Sequence, residues 1–118
     1  MYDHIGLRVK EIDTAKKFYK AALAPLGYLL ESEGDGYAGF GPKGAPALWL
    51  HASKKGSGAH VAFTAPDRKS VDGFHRAALK AGAKDNGAPG IRTDYSPTYY
   101  AAFVIDADGN NVEAVCTK

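Results

Sequence analysis

His4 and His60 are the residues whose placement first suggests chemistry. They stand 56 positions apart, each near the start of an alternating stretch: Asp3-His4-Ile5-Gly6-Leu7-Arg8-Val9 and Ala59-His60-Val61-Ala62-Phe63-Thr64-Ala65. In an extended strand this alternation sends Ile5, Leu7 and Val9 to one face and His4, Gly6 and Arg8 to the other. A third group is Glu113, an acid inside the otherwise apolar Val112-Glu113-Ala114-Val115. A break in a local pattern of this kind tends to mark a functional position. Two imidazoles and one carboxylate on converging strands form a set that holds divalent iron, manganese, nickel or zinc and leaves coordination positions open. A lone strand histidine is ordinarily structural; the repeat is what singles out this pair.

The elements that must position these residues also repeat. After the first strand, Asp13 is the expected N-cap of a helix running to about Leu26, with Ala15, Phe18, Tyr19, Ala22, Leu23 and Leu26 on one apolar stripe. Gly27 can take the left-handed conformation that closes it. Strands follow over residues 28–33, 37–41 and 47–52, separated by Gly34-Asp35-Gly36 and Pro42-Lys43-Gly44. Residues 54–58 form a polar linker, and the order begins again. The His60 strand leads to a helix over residues 70–81 with Val71, Phe74, Ala78 and Leu79 on its apolar face and Gly82 as its stop. The helices match at the histidine offset: Phe18 with Phe74, Lys20 with Arg76, and Ala21-Ala22-Leu23 with Ala77-Ala78-Leu79. Residues 84–95 are irregular at Gly87-Ala88-Pro89-Gly90, residues 99–106 form a strand, Asp106-Ala107-Asp108-Gly109-Asn110 a hairpin turn, and residues 111–117 the last strand. A repeat of this length means two copies of one supersecondary unit. The expected organisation is a single domain over residues 1–118, with module one at 1–53, the linker at 54–58 and module two at 59–118.

Composition narrows the class. At 118 residues, with 45% hydrophobic and 24% charged residues, the chain suits one globular domain. The net charge of +2 is small and the basic residues are dispersed, so nucleic acid is not an expected partner. The single cysteine, Cys116, excludes an internal disulfide and suits a reducing compartment; it is expected to be a buried, inert thiol. No signal-peptide pattern opens the chain and no apolar run reaches membrane-spanning length. The expectation is a cytoplasmic protein with no membrane partner.

The four most telling stretches are Asp3-His4-Ile5-Gly6-Leu7-Arg8-Val9, Phe18-Tyr19-Lys20-Ala21-Ala22-Leu23, His60-Val61-Ala62-Phe63 and Asp108-Gly109-Asn110-Asn111-Val112-Glu113-Ala114-Val115. Taken in this order, they resemble the vicinal oxygen chelate superfamily, which includes glyoxalase I, extradiol dioxygenases, fosfomycin-resistance transferases and bleomycin-resistance proteins. The resemblance implies an α+β fold in which two βαβββ modules in tandem form a cup-shaped mixed sheet with the helices outside. It implies a homodimer, because the cup commonly forms between modules of two chains. The family's metal ligands carry over onto His4, His60 and Glu113, with Glu113 also the catalytic carboxylate. A divalent ion held there would let a small substrate chelate through adjacent oxygens, which stabilises an enolate or catecholate.

One departure limits the activity expected. Glyoxalase I supplies a fourth ligand, Glu or Gln, from the last strand of module one, and Ala47-Leu48-Trp49-Leu50-His51-Ala52 has no carboxylate. A glyoxalase-like lyase or a dioxygenase-like enzyme is therefore expected before a true glyoxalase I. The alternative is a metal-free protein that sequesters a small molecule, as bleomycin-resistance proteins do. Small bacterial members tend to carry histidines where this chain has Asp94-Tyr95-Ser96-Pro97, so no role is carried over for that segment.

Other candidates have two readings each. Arg8, Trp49, Tyr95 and Tyr100 are candidate substrate contacts. Trp49 either walls the pocket or fills the core, and only one of Tyr99 and Tyr100 can face the cup. Arg92 could contribute to an anionic or aromatic site, but is expected to face solvent. His51 is either a replacement ligand or a strand-end residue; His75, on the outer helix, is structural.

Overall fold

A computed structural model describes residues 3–55 and 58–118. Its elements run β1 (Ile5–Val9), α1 (Ile12–Leu23), a 3-10 turn (Ala24–Leu26), β2 (Leu29–Gly34), β3 (Tyr37–Gly41), β4 (Leu48–Ala52), β5 (His60–Thr64), α2 (Arg68–Lys80), β6 (Lys84–Ile91), β7 (Tyr100–Ile105) and β8 (Asn111–Cys116). The strand-helix-three-strand order occurs twice, as the repeat predicts. Each module carries its own mixed sheet, ordered β1-β4-β3-β2 and β5-β8-β7-β6. In both, the first strand lies parallel to the fourth and the other pairs are antiparallel. Part of the linker, Gly56 and Ser57, lies outside the described residues.

Helix boundaries differ from the sequence reading at three ends. Glu11, not Asp13, is the N-cap of α1, and its side chain makes no capping bond; Asp13 sits in the first turn, where the helix dipole favours an acid. The α-helix stops at Leu23, and Ala24-Pro25-Leu26 tightens into a 3-10 turn closed by Gly27 at φ +86°. In α2 the helix begins earlier, because the Asp67 carboxylate accepts from the Ser70 amide at 2.7 Å.

The apolar stripes bury as the spacing requires, except at Leu79, which lies at the edge of the α2 stripe and is exposed. Ala15, Phe18, Tyr19, Ala22 and Leu23 of α1 cover the Leu7, Val9, Phe40 and Leu50 face of the first sheet. Val71, Phe74 and Ala78 of α2 cover Val104, Val112, Ala114 and Cys116 of the second. Burying one such Leu, Val or Phe stabilises the fold by about 1.5–3 kcal/mol. Cys116 is buried in this layer, on the face opposite Glu113.

Among the described residues, the modules join through their helices and through three hydrogen bonds that involve side chains. The two helices pack on each other, and Pro25 approaches Gly73 so closely that a Cβ there would stand 3.1 Å from the proline ring. Tyr19 donates its hydroxyl to Asp106 Oδ2 at 2.6 Å. The Lys10 amide donates to Asp108 Oδ1 at 2.9 Å, and the Tyr28 hydroxyl to the Thr64 carbonyl at 2.6 Å. The Asp-Gly-Asn segment thus does more than turn a hairpin. Asp106 also accepts from the Asp108 and Asn110 amides and from Asn110 Nδ2, which holds the buried carboxylate ready for Tyr19.

Candidate functional site

With the helices on one side, each sheet leaves its other face open. Register decides what meets there. In module two, Ala62 and Phe103 flank Glu113 on neighbouring strands, and His60 precedes Ala62 by two residues on the same face. In module one, Gly6 and Gly39 flank Trp49, and Arg8 and Tyr37 flank His51.

Glu113 is the centre of the module-two face. Its side chain is 3% exposed, yet both oxygens are satisfied: Oε1 lies 2.9 Å from His60 Nε2, and Oε2 accepts from the Tyr99 hydroxyl at 2.5 Å. As a carboxylate, Glu113 can only accept, so His60 Nε2–H is the donor. Burial and the Glu113 carboxylate push the Tyr99 phenol up to about 12, which keeps its proton on the shared bond. The Tyr95 ring packs edge-on against Tyr99 at 4.9 Å, and Phe103 lies 6.4 Å from the His60 ring.

His60 and Glu113, two of the three expected metal ligands, therefore meet within one chain. To hold a divalent ion, His60 would give up the Nε2 proton that it now donates to Glu113. His4 does not join them. Its Nδ1 lies 2.7 Å from Asp3 Oδ1, and among the described residues no group of three or more His, Cys, Asp or Glu could hold an ion. His4 instead borders a cleft of about 330 Å³ between the modules, lined by Tyr28, Phe40, Leu48, Val61 and Phe63.

The other candidates separate by face. Trp49 is not core: it shares the open face of module one with Arg8, its ring 6.4 Å from Tyr37. The indole lies flat over Gly39, where a Cβ would stand 2.6 Å from it. Arg8 and the exposed His51 lie on that face too. Tyr95 stands 67% exposed beside the Glu113 cluster. Tyr100 is corrected: its hydroxyl donates to Asp72 of α2 at 2.5 Å and Arg68 covers its ring, so it belongs to the helix side. Strand alternation gives the open face to its neighbour Tyr99 instead. His75 pairs with Asp85 at 2.9 Å across α2 and β6.

Nothing in the residue pattern alone singles out Phe103 or chooses Tyr99 over Tyr100. Both were within reach of pairing arithmetic: Ile105 opposite Asn111 across the hairpin sets Phe103 opposite Glu113.

A two-module fold with a buried carboxylate facing a strand-start histidine defines a recognisable class. The profile of the Glyoxalase/Bleomycin resistance protein/Dioxygenase superfamily matches residues 2–114, and the chain belongs to that superfamily. Among solved structures it is similar to a glyoxalase/bleomycin resistance protein from Albidiferax ferrireducens T118, at TM-score 0.87 and 24% identity, covering 100% of this chain and 99% of that one. It is also similar to a glyoxalase/bleomycin resistance protein/dioxygenase family enzyme from Burkholderia phytofirmans PsJN, at TM-score 0.74 and 15% identity, covering 98% of each chain. A glyoxalase-related enzyme from Fulvimarina pelagi matches at TM-score 0.71 and 14% identity, covering 95% of this chain and 84% of that one. At these identities the structural likeness is one of fold. No curated protein sequence matches the chain significantly. Among the described residues, no helix is long and apolar enough to cross a membrane.

Proposed function

We propose that the chain is a metal-dependent enzyme acting on a small substrate with adjacent oxygens, its site completed between two copies of the chain. His60 and Glu113 would hold the divalent ion from module two, and His4 of a second copy would supply the third ligand. The observation that carries this reading is the Glu113 carboxylate, buried in an apolar strand and oriented at both oxygens by His60 and Tyr99. Burying an acid costs several kcal/mol unless partners compensate it, and a sequestering cup has no need of one. When bound, the ion would polarise two adjacent substrate oxygens. The protein's own groups do the rest. Tyr99 fixes the carboxylate, Phe103 packs beside the His60 ring and keeps water from that side, and Trp49 offers no fourth carboxylate. A lyase, isomerase or ring-cleavage reaction is compatible with this set.

The second reading is a metal-free small-molecule-binding protein of the bleomycin-resistance type. It is favoured by the separation of His4 from the His60–Glu113 pair within one chain. Metal content of protein purified without chelators, compared with His60→Ala, decides between them. The enzyme reading expects stoichiometric metal that the variant loses; metal-free protein that still binds small ligands overturns it. Sedimentation at micromolar concentration tests the shared site, which a monomer contradicts.

A further inference from the structure

Arg92, just past β6, is held flat within the open face of module two. Its guanidinium lies 5.4 Å over the Phe103 ring, and Nη2 donates to the Ala88 carbonyl at 2.6 Å. The irregular Gly87-Ala88-Pro89-Gly90 segment makes the room. A Cβ at Gly87, whose φ is +153°, would stand 2.9 Å from Phe103 and 3.2 Å from Nη2, and one at Gly90 would stand 3.2 Å from Nη1. The register of β6 against β7 shifts twice across this segment, so pairing is given up where the guanidinium lies. No carboxylate pairs with Arg92 among the described residues; the ion pairs of the fold lie elsewhere. The Phe103 ring lies 5.4 Å from the Arg92 guanidinium and 6.4 Å from the His60 ring, so the cation stands within about 12 Å of the histidine.

We infer that Arg92 is an anion-binding residue, and that the site takes a small molecule whose carboxylate pairs with Arg92 while its adjacent oxygens face His60 and Glu113. A planar guanidinium with one edge tied to a backbone carbonyl still presents further N–H donors, and the forked pairing it offers suits a carboxylate. The half-buried rings of Phe103 and Tyr99, with the exposed ring of Tyr95 beside them, supply the apolar wall such a molecule would lie along. The placement of the two oxygens rests on the metal-dependent reading above; the anion site itself does not.

The test compares 3,4-dihydroxybenzoate with its neutral isostere 3,4-dihydroxybenzamide by calorimetry at low salt. Both are titrated into the full chain after divalent ions are stripped, and again after reloading. The stripped wild-type protein is expected to prefer the carboxylate by about tenfold, the ratio that one charge-assisted pair produces. Arg92→Gln is expected to bring the ratio near one, and Arg92→Lys to restore part of it. If Arg92 merely braces the β6 bulge, Arg92→Gln weakens both ligands alike and the ratio stays; that outcome overturns the inference. So does a wild-type ratio near one, or no carboxylate binding at millimolar concentration. If reloading metal tightens neither ligand while the charge preference persists, the metal-dependent reading fails and the anion site stands.

Discussion

Trp49 and Glu113 occupy the same position of the two modules: Trp49 stands opposite Gly6 on β1, and Glu113 stands opposite Ala62 on β5, the repeat partner of Gly6. Their neighbours on the next strand are exchanged in size, Gly39 beside Trp49 and Phe103 beside Glu113. At this pair of positions each module has one large ring, and the other member is a glycine in module one and an acid in module two. Module one thus carries an indole where module two carries its carboxylate.

Placing a carboxylate there should extend the ligand set. Trp49→Glu is expected to raise affinity for nickel or zinc by about tenfold or more, measured in competition with a chromophoric chelator. Unchanged affinity would mean that Trp49 does not face the ion in the assembled protein.

Gly39 gives the indole its space. In Gly39→Ala the added methyl would stand within 2.6 Å of the ring, so Trp49, the chain's single tryptophan, must lift away. A red shift of tryptophan emission with the fold retained by circular dichroism is the expected result. An unshifted spectrum would count against the described contact.

Tyr99 holds the second oxygen of Glu113, and Tyr99→Phe leaves that buried oxygen without its donor. The expected loss is about 1–3 kcal/mol of unfolding free energy in urea. Under the metal-dependent reading, the same variant should bind metal about 10–100-fold more weakly, as is usual when a ligand's supporting partner is removed. Full affinity for the ion would show that the phenol does not position the carboxylate.

Tyr19 joins α1 to the buried Asp106, and Tyr19→Phe is expected to cost about 1.5–3 kcal/mol, as for a hydrogen bond to a charged group. Alkali gives a second readout. Burial first, and then Asp106, raise the Tyr19 phenol above its ordinary value of 10.0. A raised folded-state value means that the contribution is complete below about pH 10 and is lost as pH climbs further. Wild type should therefore lose more stability than Tyr19→Phe as pH rises from about 10 to 12, followed by denaturant melts. Parallel losses in the two proteins would remove Tyr19 as the cause.

Several features of the chain were legible in its order of residues. Alternation around His4 and His60, the helical stripes of Phe18-Tyr19 and Phe74, and the shared offset of both determined two βαβββ modules, because periodicity reports local burial and needs no long-range contact. Glu113 betrayed itself as an acid in an apolar strand for the same reason. The tertiary structure alone decided which groups meet. Register places His60 and Tyr99 on the two oxygens of Glu113. A glycine-lined bulge lays Arg92 over Phe103, and the helix-to-helix packing of the modules leaves His4 apart from the pair it echoes. Those are relations between strands distant in sequence, set by pairing register and by packing between modules, and neither leaves a periodic trace along a single chain.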